Sequence, residues 1–93
     1  MTEDTSRMTR EGIWAAILAE RARQAERWAD EHEWGYGDCS SPGVPTPVKV
    51  MVLGEEFGEV ARAVLDSAPI PELKDELIQV AAVAVAWLEG LGA

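Results

Sequence analysis

The sequence predicts an all-α fold: a three-helix protomer that assembles into an oligomeric helical bundle. Three observations predict it. The five prolines fall in two clusters, Pro42, Pro45 and Pro47, then Pro69 and Pro71, and cut the chain into three long segments. Within each segment the apolar residues recur at helical spacing, and no window alternates as a strand would. The chain has 93 residues, a single domain's worth, which buries only a modest core by itself, so leftover apolar surface favours self-association.

The first helix is expected from about Thr9 to about Glu33. Thr9 is placed to cap it, and Glu11 sits in the first turn, where the helix dipole favours an acid. Its apolar stripe is Trp14, Ile17, Leu18, Ala25 and Trp28, with Arg21 and His32 on the same face. Residues 34–46, rich in Gly, Pro and small polar side chains, read as a loop. The second helix starts at Thr46-Pro47, a cap followed by proline at the first helical position, and runs to about Asp66. Its stripe is Leu53, Phe57, Val60 and Val64. The third starts at Pro71, has Glu72 in its first turn, and runs to about Glu89, where Gly90 and Gly92 stop it. Its stripe is Leu73, Leu77, Val80, Ala84, Trp87, Leu88 and Leu91. The small-residue run Val80 to Trp87 extends its apolar character beyond one stripe. That predicts burial on more than one side and, in a three-helix chain, an intersubunit interface.

Composition narrows the function. Hydrophobic residues make up 47%, as in a globular protein, and 8 Lys and Arg against 17 Asp and Glu give a net charge of −9. Such a chain has no electrostatic footprint for a nucleic-acid backbone. Acids can still meet phosphates through a divalent cation. The longest apolar run, Val80 to Leu88, is nine residues, too short to span a bilayer. Residues 1–8 read as a flexible N-terminus without the basic-then-apolar order of a signal peptide, and the single Cys39 cannot form an internal disulfide. These features predict a cytoplasmic protein of one domain, residues 1–93, without membrane contact.

The second and third helices carry a repeated carboxylate pattern. Leu53-Gly-Glu-Glu-Phe-Gly-Glu-Val60 overlays Leu73-Lys-Asp-Glu-Leu-Ile-Gln-Val80 at an offset of 20 residues. Glu56 and Glu76 then lie about 60° to one side of the leucine, and Glu59 and Gln79 about 120° to the same side. Glu55 and Asp75 point roughly opposite the core. Antiparallel packing by the stripes would bring the two flanks together, three carboxylates and one amide at a core edge. Uncompensated, that arrangement is repulsive and costly to desolvate. A hard cation, Mg²⁺ or Mn²⁺, takes such oxygen ligands, and it can recruit a polyphosphate and activate a water.

The run Glu55-Glu56-Phe57-Gly58-Glu59, followed by Glu76-Leu77-Ile78-Gln79, resembles the E-E-x-x-E…E-x-x-D signature of the MazG-like nucleoside triphosphate pyrophosphohydrolases. Glu20-Arg-Ala-Arg-Gln-Ala-Glu-Arg-Trp28 resembles the E-R-x-x-Q-x-x-x-W stretch of short, phage-type members, so the likeness spans roughly residues 13–91. The resemblance implies an all-α, Mg²⁺-dependent enzyme that splits a nucleoside triphosphate into monophosphate and pyrophosphate, working as a homodimer or homotetramer. It implies Glu56, Glu59 and Glu76 as metal-holding catalytic residues, with Gln79 in the fourth ligand place. There the family has Asp, and an amide oxygen coordinates without bringing charge. A literal Glu72-x-x-Asp75 exists one turn earlier, but Asp75 projects away from the shared flank.

For the substrate's charge and base, Lys49, Arg23, Arg27 and Trp28 are candidates, and Trp34 also flanks the loop. Arg21, inside the apolar stripe, is expected to snorkel or to pair with an acid rather than to bind substrate. His32 has no second His or nearby Cys for a zinc site, and Cys39 lies in a Ser/Gly/Pro loop without signs of activation. That loop, Gly35 to Gly43, lacks the Lys-Ser/Thr ending of a P-loop. Two other classes of function stay open. One is a non-catalytic MazG-like protein that binds a nucleotide or metal, which Gln79 favours. The other is an acidic helical interaction module.

Overall fold

The computed structural model describes residues 8–92, so the expected flexible N-terminus lies outside them except for Met8. The order of elements is α1 (Arg10–Arg27), β1 (Glu31–His32), β2 (Gly35–Tyr36), α2 (Thr46–Leu65) and α3 (Ile70–Gly90). Three helices pack together, as the sequence predicts.

α1 begins as expected: the Thr9 side chain accepts a hydrogen bond from the Gly12 N–H at 2.9 Å, which satisfies one of the free donors of the first turn. It ends six residues earlier than expected, at Arg27 rather than Glu33. Residues 28–33 have helical composition, but tertiary contacts override it. The chain turns at Trp28 and folds into a two-strand antiparallel hairpin, with His32 opposite Gly35 and Glu31 opposite Tyr36. This corrects the expectation that no segment is extended. His32 braces the hairpin with both ring nitrogens. Nδ1 accepts from the Trp34 N–H at 3.2 Å, which leaves Nε2 to donate to the Gly37 carbonyl at 2.8 Å. Gly35 sits at φ +125°, and a β-carbon there would come within 2.4 Å of the Gly43 carbonyl oxygen, so no other residue fits.

α2 and α3 begin alike. Pro45-Thr-Pro47 and Pro69-Ile-Pro71 each place a proline at the cap and another at the second helical position. The cap of α2 is therefore Pro45, not Thr46, and it acts through its backbone. The Pro45 carbonyl accepts from Val48 and Lys49 N–H, and the Pro69 carbonyl from Glu72 and Leu73. α2 closes in a Schellman turn: Ala68 N–H reaches the Ala63 carbonyl, and Ser67 N–H that of Val64. Ser67 holds the left-handed position at φ 53°, where glycine is usual. The short connection returns α3 along α2 as a helical hairpin.

α3 is the centre of the fold. It packs against both α1 and α2, whose backbones do not approach each other closely among the described residues. Burial of α3 on more than one side is thereby explained within a single chain. Its buried line is Ala82, Val83 and Ala86, whereas Leu77, Leu88 and Leu91 of the expected stripe are exposed. The hydrophobic centre joins Val83 and Ala86 to Cys39 of the loop and to the partly buried Val52 and Leu53.

The stripe of α2 also differs from expectation. Phe57 and Val64 are 65% and 60% exposed. The inward line is instead Val48, Lys49, Val52, Glu56, Val60 and Ala63. At 100° per residue these six centre on Glu56, so the acid expected on a flank sits in the middle of the packed face. On α1, Trp14 and Leu18 are exposed, and Ile17 and Arg21 are the buried residues.

Candidate functional site

Because α3 holds α1 and α2 apart, a cleft of about 220 Å³ opens between them. α1 supplies Glu20, Gln24 and Arg27, and Trp28 follows at its C-cap; α2 supplies Val48, Val52, Glu55 and Glu56. Gln79 and Val83 of α3 form the floor. The hairpin and loop close one end with His32, Trp34, Asp38 and Val44. The cleft is graded along its length: valines and aromatic rings lie at the loop end, carboxylates toward the middle of α2.

The loop is fixed by an ion-pair node. Arg21 donates from Nη1 to Asp38 Oδ2 at 2.7 Å and from Nη2 to Glu89 Oε1 at 2.6 Å, tying α1, the loop and α3 together. The other Asp38 oxygen accepts the Ser40 hydroxyl at 2.6 Å and the Ser40 N–H at 2.9 Å. Burial alone would raise the Asp38 carboxyl; the Ser40 hydrogen bonds and the Arg21 guanidinium more than reverse that and hold it below its ordinary range. The expectation that Arg21 pairs with an acid is met. Cys39 beside it is buried in the hydrophobic centre and its thiol is pushed up, by desolvation first and then by Asp38, which disfavours the thiolate.

Gly90 was expected to stop α3. It has a second use: a β-carbon there would lie 2.7 Å from the Ser40 carbonyl oxygen, so the loop rests directly on its backbone. Gly90→Ala should lift the loop and lower stability by about 1–3 kcal/mol, net of the alanine's better helix propensity. Thermal melts and protease cleavage within residues 28–45 would register both effects.

The acids form a graded field. Burial raises the Glu56 carboxyl, and Glu76, Glu55, Glu59 and Glu20 raise it further. Glu76 is raised as well, by desolvation and then by Glu59, Glu72 and Asp75. Glu56 Oε1 is buried without a hydrogen-bond partner. Of the four residues of the repeated pattern, Glu56 and Gln79 line the cleft, while Glu59 and Glu76 sit beyond it, near enough for their charges to act on Glu56 or on each other. Among the described residues, no three His, Cys, Asp or Glu side chains draw together as a metal-holding group.

Arg27 and Trp28 reach the cleft, the Arg27 guanidinium lying 5.2 Å from the Trp28 ring centroid and the His32 ring meeting Trp28 edge-on at 5.3 Å. Lys49 does not reach it. That side chain is 5% exposed and turned into the packed face, where its charge acts on Cys39. Arg23 pairs with Glu20 at 2.8 Å. Glu20 and Glu55 are cleft acids that sequence reasoning undervalued. Glu20 was visible in the Glu20-x-x-Arg23-Gln24 spacing, whose i+3 and i+4 partners share its side of α1.

Compared with protein-family models, with curated proteins and with solved structures, the chain matches none.

Proposed function

We propose that this chain is a metal-dependent nucleoside triphosphate pyrophosphohydrolase. The observation that carries the reading is Glu56: a buried carboxylate oxygen without a hydrogen-bond partner, inside a cleft, surrounded by four further acids that raise its protonation tendency. A lone buried charge of this kind is costly unless a cation compensates it. The donors are of the kind Mg²⁺ or Mn²⁺ takes, since Glu56, Glu59, Glu76 and Gln79 offer only oxygen ligands, and binding one ion would draw Glu59 and Glu76 in toward Glu56 and Gln79, which line the cleft. When bound, the ion supplies the positive charge that admits a polyphosphate to this acidic surface and makes a water a better nucleophile.

The chain's own residues do the rest. Glu56, Glu59, Glu76 and Gln79 would hold the ion. One carboxylate takes the proton of the water whose oxygen bonds to phosphorus as the phosphoanhydride breaks, releasing monophosphate and pyrophosphate. Arg27 faces the phosphate chain, and Trp28 offers a ring for a nucleobase. The valine-and-aromatic end of the cleft suits the base, and the carboxylate end suits the phosphates. A cytosolic setting, where triphosphates and magnesium coexist, suits the reaction. The test is pyrophosphate release from a panel of ribo- and deoxynucleoside triphosphates with Mg²⁺ and with Mn²⁺. Metal-dependent release by the wild type, lost in Glu56→Ala, is the expected result; no release from any nucleotide by a folded protein would sink the reading.

Gln79 favours a second reading, a relative that binds nucleotide without cleaving it. An amide at the cleft floor supplies an oxygen ligand but no charge, which weakens the hold on a cation. Under this reading, wild type is inert and Gln79→Asp gains both Mg²⁺ affinity and turnover in the same assay.

A further inference from the structure

His32 is the only histidine in the sequence, and the fold uses its ring in a single protonation state. Nε2 lies 2.8 Å from the Gly37 carbonyl oxygen. A carbonyl only accepts, so Nε2 carries a proton. Nδ1 lies 3.2 Å from the Trp34 backbone nitrogen. An N–H only donates, so Nδ1 is bare. The two bonds hold different things. The first ties the β1–β2 hairpin to the residue that follows it, Gly37. The second holds the tip of that hairpin, where Trp34 stands between the paired residues His32 and Gly35. Trp34 lines the closed end of the cleft and is 47% exposed. The ring also meets Trp28, a second lining residue, edge-on.

We propose that His32 is a proton-operated catch on the closed end of the cleft: a second proton on the ring releases Trp34 while the hairpin stays tied at Gly37. Imidazole is the side chain whose ordinary charge change falls between about pH 5 and 8. Once charged, Nδ1 is itself a donor and meets the Trp34 N–H donor to donor, so that bond is lost. Nε2 stays a donor, now on a cation, and its bond to the Gly37 carbonyl grows stronger. One proton thus acts on one of the two bonds, at the tip and not along the strands. Several charged groups share the cleft with the ring: Glu20 and Arg27 of α1, Asp38 of the loop, and Glu55 and Glu56 of α2. The α3 residues that line it, Gln79 and Val83, are uncharged. The hairpin itself carries Glu31, Glu33 and Tyr36. Asp38 is engaged by Arg21 and Ser40, and Glu20 by Arg23 and Gln24, so neither is free to take the Trp34 N–H when Nδ1 gives it up. The proposal concerns the shape of the cleft and does not rest on the pyrophosphohydrolase reading.

Two variants separate the two bonds. In His32→Asn the side-chain oxygen stands where Nδ1 stands and accepts an N–H two residues on, as asparagine does in turns, at any pH. In His32→Gln the amide nitrogen reaches as far as Nε2 does, and no acceptor is left for Trp34. The readout is the protection of the Trp34 amide against hydrogen exchange, corrected for the intrinsic effect of pH. It is followed by NMR from about pH 8 to about pH 5, beside the titration of the single histidine ring. Wild type should lose about fivefold of this protection, the worth of one hydrogen bond, with the same midpoint as the ring. His32→Asn should hold its protection across the range, and His32→Gln should lack it throughout. Wild-type protection that stays level while the ring titrates overturns the proposal. So does an equal loss in His32→Asn, which would trace the effect to the neighbouring acids. Should a variant lose the hairpin altogether, the wild-type titration decides by itself.

Discussion

Arg21→Met should destabilise the fold by about 3–5 kcal/mol at neutral pH, the loss typical of removing one partner from a buried ion pair. The Arg21 and Asp38 side chains are 10% and 6% exposed, so water cannot replace the guanidinium. Glu89 is 47% exposed and contributes little to the figure. The pH dependence tests the cause. Asp38 is held below its ordinary range, so its contribution is complete above about pH 4 and is lost as pH falls through the lower folded value. In Arg21→Met the burial of Asp38 is no longer offset by the guanidinium, and acid should cost the variant less stability than it costs wild type. Urea unfolding of both proteins at neutral and acid pH measures the difference. Equal acid losses would mean that Arg21 acts through packing and not through Asp38.

Glu56→Gln should do two opposite things. Without metal it should raise stability by about 1 kcal/mol, several degrees in melting temperature, because a buried carboxylate repelled by its neighbours becomes a neutral amide. With metal it should erase a gain the wild type shows. A cation that binds only the folded state stabilises by about 2.7 kcal/mol at a hundred times its dissociation constant, and under the proposed function the variant would lack the central ligand. Triphosphate hydrolysis should fall by at least about a hundredfold, since even outer-shell changes at metal sites cost ten- to a hundredfold. Melting curves with and without millimolar Mg²⁺ separate this from the plain reading of Glu56 as a solvated acid. On that reading neither the metal-free gain nor the lost increment would appear.

The three helices were legible because proline and glycine punctuate the chain and the apolar spacing is helical. The end of α1 was not, because residues 28–33 carry no breaker and the hairpin owes its shape to contacts of His32, Gly35 and Gly43 that are remote from local propensity. The inward face of α2 was misjudged for a different reason. The expected stripe ran through Leu53, Phe57, Val60 and Val64, and spacing alone does not fix the rotation of the helix against α3. The structure turns Val60 inward with Val52, centres the packed face on Glu56, and leaves Phe57 and Val64 exposed. For the site, the repeated pattern singled out Glu56, Glu59, Glu76 and Gln79, of which Glu56 and Gln79 line the cleft and Glu59 and Glu76 do not. Lys49 looked like a substrate contact because only eight cations exist, whereas its place on the inward line buries it. The pairing of Glu59 with Glu76 depends on rotation of α2 about its axis, which pattern reading left undetermined.

That the backbones of α1 and α2 pack on α3 and not closely on each other makes α3 a spacer, and its thickness sets how far apart the two walls stand. At the contact lines the spacer is thin: Ala82 and Ala86 are fully buried, with Val83 between them. Ala86 packs there with Val83 against Cys39 of the loop and beside Val52 and Leu53 of α2. Neither alanine lines the cleft. Under the proposed function, enlarging either would press a wall outward without altering a side chain that the guest meets, so the width of the cleft and its chemistry are encoded at different positions.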